Sequence, residues 1–188
     1  MRITGGHKKG LRLASFKGLD IRPTSDKVRE AIFNLLGHGM EGLHVLDLFA
    51  GSGGLGIDAL SRGADRAVFI DNSIKSLRLI KKNLERCGLL GVGLVLKKDL
   101  SRGLPKRQGL APKPFDLVFI DPPYGQGLIP PLLKQLTRMK ILGENGIIIT
   151  ETYKNEALPD HQNGLTLVDS RRYGETKIDR YIFLNDEF

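Results

Sequence analysis

At 188 residues the chain fits one domain of ordinary size, long enough to bury a three-layer core. Its 29 Lys and Arg against 21 Asp and Glu leave a net charge of +8, which favours a polyanionic partner such as nucleic acid but names no reaction. A single cysteine, Cys87, excludes an intramolecular disulfide and a cysteine-based metal cluster. With no signal-peptide core and no apolar run of about 18 residues, the expectation is a cytoplasmic chain without a membrane partner.

Residues 1–22 are basic, carry several glycines and lack a clear period, so they read as a small N-terminal arm in which Arg2–Gly6 and Gly10–Ala14 pair as a hairpin. Residues 1–30 hold eight basic side chains against three acidic ones, a run that suits either a solvated face or a nucleic-acid contact. Thr24 or Ser25 caps a helix running to about Leu36, with Val28, Ala31, Ile32, Leu35 and Leu36 on one stripe. Past residue 40, short apolar runs alternate with amphipathic stretches, the pattern of parallel strands joined by crossover helices. Strands are expected at His44–Phe49, Arg66–Asp71, Val92–Lys98, Phe115–Ile120 and Gly146–Thr150, and helices at Gly54–Arg62, Ser73–Cys87 and Leu128–Met139. The unbroken Ile147-Ile148-Ile149 implies burial on both faces, near the centre of the sheet. Leu165–Arg172 and Lys177–Leu184, joined by a turn at Gly174, read as an antiparallel edge hairpin. Ser101–Pro114 reads as a basic loop of no assigned role.

Between the first strand and helix lies Asp47-Leu48-Phe49-Ala50-Gly51-Ser52-Gly53-Gly54-Leu55-Gly56, where bare backbone can approach a nucleotide. Gly51, Gly53 and Gly56 satisfy G-x-G-x-x-G and Asp71 follows twenty residues after Gly51, so an NAD-dependent oxidoreductase is a rival reading. Asp47, four residues ahead of Gly51, makes D-x-x-x-G-x-G, which resembles motif I of the Rossmann-like methyltransferases. That resemblance implies S-adenosylmethionine as cofactor, with Asp47 oriented toward its ammonium and Phe49, Ala50, Gly51, Ser52, Gly53 and Gly56 forming its loop. Asp71, ending the second strand, suits a ribose cis-diol, with Asn72 beside it. Asp99 and Leu100, after the third strand, stand where such enzymes hold adenine.

The fourth strand runs directly into Asp121-Pro122-Pro123-Tyr124. A strand ending in D-P-P-Y resembles motif IV of the amino-group methyltransferases, acting on adenine N6, cytosine N4 or guanine N2. An exocyclic amine delocalises its lone pair into the base and is a poor nucleophile. A carboxylate at Asp121 and the Pro122 carbonyl can accept its two N–H hydrogens and turn the lone pair toward a methyl. Pro122 and Pro123 stiffen the corner, since each fixes φ and lacks an N–H. Tyr124 offers a ring face for a base removed from its stack.

The flanks are more selective. Arg2-Ile3-Thr4-Gly5-Gly6 with Gly10-Leu11-Arg12-Leu13, Arg22-Pro23-Thr24-Ser25-Asp26-Lys27-Val28-Arg29-Glu30-Ala31-Ile32-Phe33-Asn34 and Tyr173-Gly174-Glu175-Thr176 together resemble the bacterial 16S rRNA guanine-N2 methyltransferases of the RsmD type, over nearly the whole chain. The resemblance implies an α/β three-layer Rossmann-like methyltransferase sheet, mostly parallel with an antiparallel C-terminal hairpin, in a single domain over 1–188. It also implies guanine N2 of 16S rRNA as acceptor and an assembling small ribosomal subunit as substrate; separately, a monomer is expected. Arg22, Thr24 and Arg29 then serve either closure over cofactor or RNA, or helix capping and surface charge. Adenine-N6 methylation of DNA or RNA remains the near alternative, and a catalytically silent RNA-binding assembly factor a more distant one.

Overall fold

The computed structural model describes residues 1–16, 24–37, 39–110 and 113–184. Arg22 and Pro23 of the R-P-T segment, and the end of the N-terminal arm, lie outside the described residues. Among the described residues eight strands form one sheet: β1 (His44–Leu48), β2 (Arg66–Asp71), β3 (Gly93–Lys97), β4 (Phe115–Ile120), β5 (Leu142–Tyr153), β6 (His161–Gln162), β7 (Leu165–Tyr173) and β8 (Thr176–Phe183). Their order is β3-β2-β1-β4-β5-β8-β7-β6. The first five are parallel, and β8, β7 and β6 continue the sheet antiparallel from β5.

Alternation along the strands sends side chains to two cores. Val45, Phe69, Leu117, Phe119 and Ile149 pack with Ile32 and Phe33 of α1 (Asp26–Leu36), Ile57 of α2 (Gly54–Ser61) and Ile80 and Leu84 of α3 (Ile74–Arg86). Leu46, Leu48, Val118, Ile120 and Ile148 face α4 (Ile129–Arg138), whose Ile129, Leu132, Leu133 and Leu136 recur at helical spacing. Three helices on one face and one on the other make the expected three layers. The Ser25 hydroxyl caps α1 by accepting the Val28 N–H at 3.2 Å, and Ser73 caps α3.

Two elements differ from expectation. Strand β5 spans Leu142–Tyr153 rather than 146–150, because Leu142 pairs with Phe115 of β4 at one end and β8 keeps pairing past the isoleucines, through Glu151, Thr152 and Tyr153, at the other. The two-residue β6 pairs only with β7 and is too short to leave an alternation.

The N-terminal segment forms the expected small hairpin, with an Arg2–Arg12 bridge and an Ile3 N–H donating to the Leu11 carbonyl at 3.0 Å. It is fastened to α2 by polar contacts. Asp58, fully buried on α2, accepts the Thr4 N–H at 2.9 Å and the Gly5 N–H at 3.2 Å, and pairs with Arg29 Nη1 at 2.7 Å. Arg29, 1% exposed, also reaches Asp26 at 2.6 Å and the Arg2 carbonyl at 2.7 Å. Burial pushes the Asp58 carboxyl up, opposed first by Arg29 and then by Thr4. All these donors need an acceptor, so the ionised form is the one consistent with the geometry. Removing one member of such a pair strands the other charge. Asp58→Ala is therefore expected to cost about 3–5 kcal/mol of unfolding free energy, measured by urea titration, and a loss under about 1 kcal/mol would refute this role for the pair.

Candidate active site

The order β3-β2-β1-β4-β5 reverses direction between β1 and β4, and a crevice opens beyond the carboxyl ends of strands at such a point. Register sets Leu48 beside Ile120, and the Asp121 N–H points to the Leu48 carbonyl at 3.4 Å. The glycine loop and the D-P-P-Y corner thus leave adjacent strands at the same level. Both open onto one cavity of about 890 Å³, within the range of about 300–1,000 Å³ usual for small-molecule sites.

Phe49 leaves β1 with φ of 60°, a left-handed conformation unusual for a bulky residue and worth about 1–3 kcal/mol of strain. The loop is held by the Ala50 N–H on the Ile70 carbonyl at 3.0 Å and the Gly53 N–H on the Ala50 carbonyl at 2.6 Å. Gly53, at φ 80°, starts α2. At Gly56 an added Cβ would run into the Phe69 ring, so this glycine lets α2 approach the sheet. Gly53 and Gly56 do not line the cavity, whereas every other residue singled out from the sequence for donor or acceptor does.

Asp47 is 2% exposed, accepts the Gly56 N–H at 2.9 Å and has no cationic partner among the described residues. Burial, opposed by the Gly56 hydrogen bond and reinforced by Asp71, pushes its carboxyl up to about 7. Asp71 accepts the Gly51 N–H on Oδ2 at 2.9 Å and the Ser73 N–H on Oδ1 at 2.8 Å, leaving a lone pair on each oxygen for a ligand. Asp99 stands at the rim, its Oδ1 taken by the Ser101 hydroxyl at 2.6 Å, which holds its carboxyl below the usual range. Leu100 is buried beneath it.

At the other end, Asp121 Oδ2 accepts the Thr24 hydroxyl at 2.8 Å. The same hydroxyl stands 3.1 Å from Glu151 Oε2, and Glu151 Oε1 accepts the Tyr124 phenol at 3.0 Å. One hydroxyl hydrogen serves one acceptor at a time, so at any moment Thr24 donates to only one of the two acids. Burial, then Glu151, pushes Asp121 well above the ordinary carboxylate range. Tyr124, pushed up to about 12 mainly by burial, stays a neutral donor, and the residue is 44% exposed at the cavity mouth.

Thr24 turns out to belong to the acid cluster rather than to the helix cap, and Arg29 spends its guanidinium on Asp58 and Asp26. Glu151 was not singled out from the sequence. Its signal was there: it lies two and four residues past Ile149 and Ile147, an acid on a face otherwise reserved for apolar side chains.

The family described as conserved hypothetical protein 95 matches residues 1–182. YlbH of Bacillus subtilis is 38% identical over 184 residues, covering 96% of this chain and 98% of its own. Ribosomal RNA small subunit methyltransferase D of Escherichia coli K12 is 34% identical over 159 residues, 85% of this chain and 78% of that protein. The solved structure of Escherichia coli yhhF superposes with a TM-score of 0.85 at 31% identity, covering 98% of each chain. The three-layer sheet and the extent of these matches lead to one assignment: the chain belongs to the conserved hypothetical protein 95 family, that of the RsmD-type methyltransferases.

Proposed function

We propose that this protein transfers the methyl group of S-adenosylmethionine to the exocyclic N2 of a guanine in 16S rRNA, acting as a cytoplasmic monomer on an assembling small ribosomal subunit. The observation that carries the reading is the shared cavity, with the Asp121–Tyr124 corner at one end and Asp47, Asp71 and the glycine loop at the other. The name of the relative ribosomal RNA small subunit methyltransferase D supports the RNA substrate. Among the described residues no helix is long and apolar enough to cross a membrane.

The residues present fit the donor. A buried carboxyl with no cationic partner among the described residues, Asp47, suits an ammonium. Asp71 has the spare lone pairs for a ribose diol, and Asp99 with Leu100 supplies a polar rim and an apolar floor for a flat base. S-adenosylmethionine supplies an electrophilic methyl on a sulfonium. At the acceptor end, Asp121 and the Pro122 carbonyl take the two amine hydrogens, and Tyr124 stacks the extruded base, a contact worth about 1–3 kcal/mol. With that methyl moving from sulfur to nitrogen, the positive charge would pass to the nitrogen, where Asp121 and Glu151 would stabilise it in a site of low dielectric. One N–H proton then passes to the acid cluster. Positive charge brought into the cavity favours the ionised forms of Asp47 and Asp121, reversing the effect of burial.

Two outcomes test this. Asp121→Asn is expected to lower turnover by about 10²–10³ while cofactor affinity stays near wild type, measured by single-turnover methylation and calorimetry; unimpaired turnover would remove the mechanism. With the wild type, nucleoside analysis after labelling should find N2-methylguanosine in small-subunit rRNA, and N6-methyladenine instead would overturn the acceptor.

A third outcome concerns pH. In the free protein Asp47 binds a proton between its ordinary 3.8 and about 7 while the unfolded chain does not. Its contribution to stability is therefore full at low pH and is lost as pH rises through that window. Cofactor binding works the other way, since only the carboxylate pairs with the ammonium. Affinity should rise from pH 5.5 to about 7 and then level, with protons released on binding below about 7. Calorimetry in buffers of different ionisation enthalpy reads the release, and its persistence in Asp47→Asn would exclude Asp47 as the source.

A further inference from the structure

Outside the cavity, α3 presents Lys75, Arg78, Lys81, Lys82 and Arg86 to solvent, and among the described residues none of these five forms an ion pair. Three of them, Lys75, Arg78 and Lys82, recur at helical spacing and, with Leu79, form one wall of a groove of about 360 Å³. Ser15 and Phe16 form the other wall.

That wall is built rather than incidental. Asn83, fully buried on the inner side of α3, accepts the Ala14 N–H at 2.8 Å and donates to the Ala14 carbonyl at 3.0 Å, fixing the chain just before Ser15. Its amide also donates to the Ser52 carbonyl at 2.9 Å, so one side chain ties the groove wall to the glycine loop. Phe16 lines both the groove and the main cavity, so the two lie side by side.

We infer that the α3 groove is a docking site for a single-stranded RNA segment flanking the target nucleotide, with Lys75, Arg78 and Lys82 on its phosphates and Phe16 against a base or ribose. The substrate class rests on the methyltransferase reading above. Unpaired cations beside an aromatic ring are the composition of a sequence-tolerant single-strand site. Adjacency to the cavity favours RNA over an acidic protein segment, because a strand whose base enters the cavity must leave along the surface beside it.

The test uses the full chain and a fluorescein-labelled single-stranded oligoribonucleotide, titrated across a range of salt. Each single-strand phosphate neutralised contributes about 0.7 to the slope of log K against log salt, so K75E/R78E/K82E should lower the slope by about 2 units. The same variant should raise KM for small ribosomal subunits, with kcat and cofactor affinity retained. The control K134E/R138E, on α4 across the sheet, should leave the slope near wild type. An unchanged slope in the α3 variant, or an equal fall in the control, overturns the inference. A raised KM with unaltered oligoribonucleotide binding also overturns it, in favour of a protein contact. Failure of the wild type to methylate subunits would instead count against the methyltransferase reading, while RNA affinity still reads the groove on its own.

Discussion

The site depends on one pairing, that of β1 with β4 in parallel. Leu48 and Ile120 end in register, so the chain leaves the sheet twice at the same height and in adjacent places. After β1 it passes through the glycine loop to α2 on one face, and after β4 it passes through the D-P-P-Y corner toward α4 on the other. The two exits diverge, and the space between them is the cavity. Loop, acids and corner are separated by some seventy residues of sequence yet meet because this ladder admits no other register: a slip of one residue would turn Leu46 and Leu48 to the wrong core.

The charge of that cavity narrows what it can hold. Asp47 and Glu151 are buried at its wall, Asp121 is half-buried there, and Asp71 stands close enough to raise Asp47 further. Burying carboxyl groups together opposes folding, and such clusters are retained where a ligand or reaction needs them. An anionic pyrophosphate lying along the glycine loop would meet Asp47, so the G-x-G-x-x-G match does not carry a dinucleotide here. A ligand bearing an ammonium and a sulfonium meets opposite charge at each end. The acids are thus evidence on ligand type that the glycines alone could not give.

Much of this was legible in the sequence, for identifiable reasons. Strands such as Arg66–Asp71 and Phe115–Ile120 are short apolar runs bounded by polar residues, and their limits coincide with expectation. Acids at strand ends were readable because a parallel sheet gathers its carboxyl ends on one side. Glu151 left only the mark of an acid on an apolar face, and its surroundings were not readable, because they are made by an antiparallel neighbour, β8, and by Thr24, which lies 127 residues away along the chain. Arg29 shows the same limit in reverse. A basic residue in a basic segment looks solvated, and only the long-range contact with Asp58 reveals it as buried. Local pattern reports the period of an element, whereas a buried polar network is defined by partners distant in sequence.

That network also bears on chemistry. Arg29 sits one turn into α1 and, through Asp58, fixes the helix against α2 and the N-terminal hairpin. With α1 fixed and begun by the Ser25 cap, the residue just before the cap is delivered to a set place, and that residue is Thr24, its hydroxyl between Asp121 and Glu151. On the other side of the glycine loop, Asn83 holds both Ala14 and Ser52, so the N-terminal segment is registered to the loop as well. The hairpin and α1 therefore do more than cover the sheet. They transmit one buried ion pair into the placement of the Thr24 hydroxyl on Asp121, which ties the stability of the fold to the geometry of the proposed site.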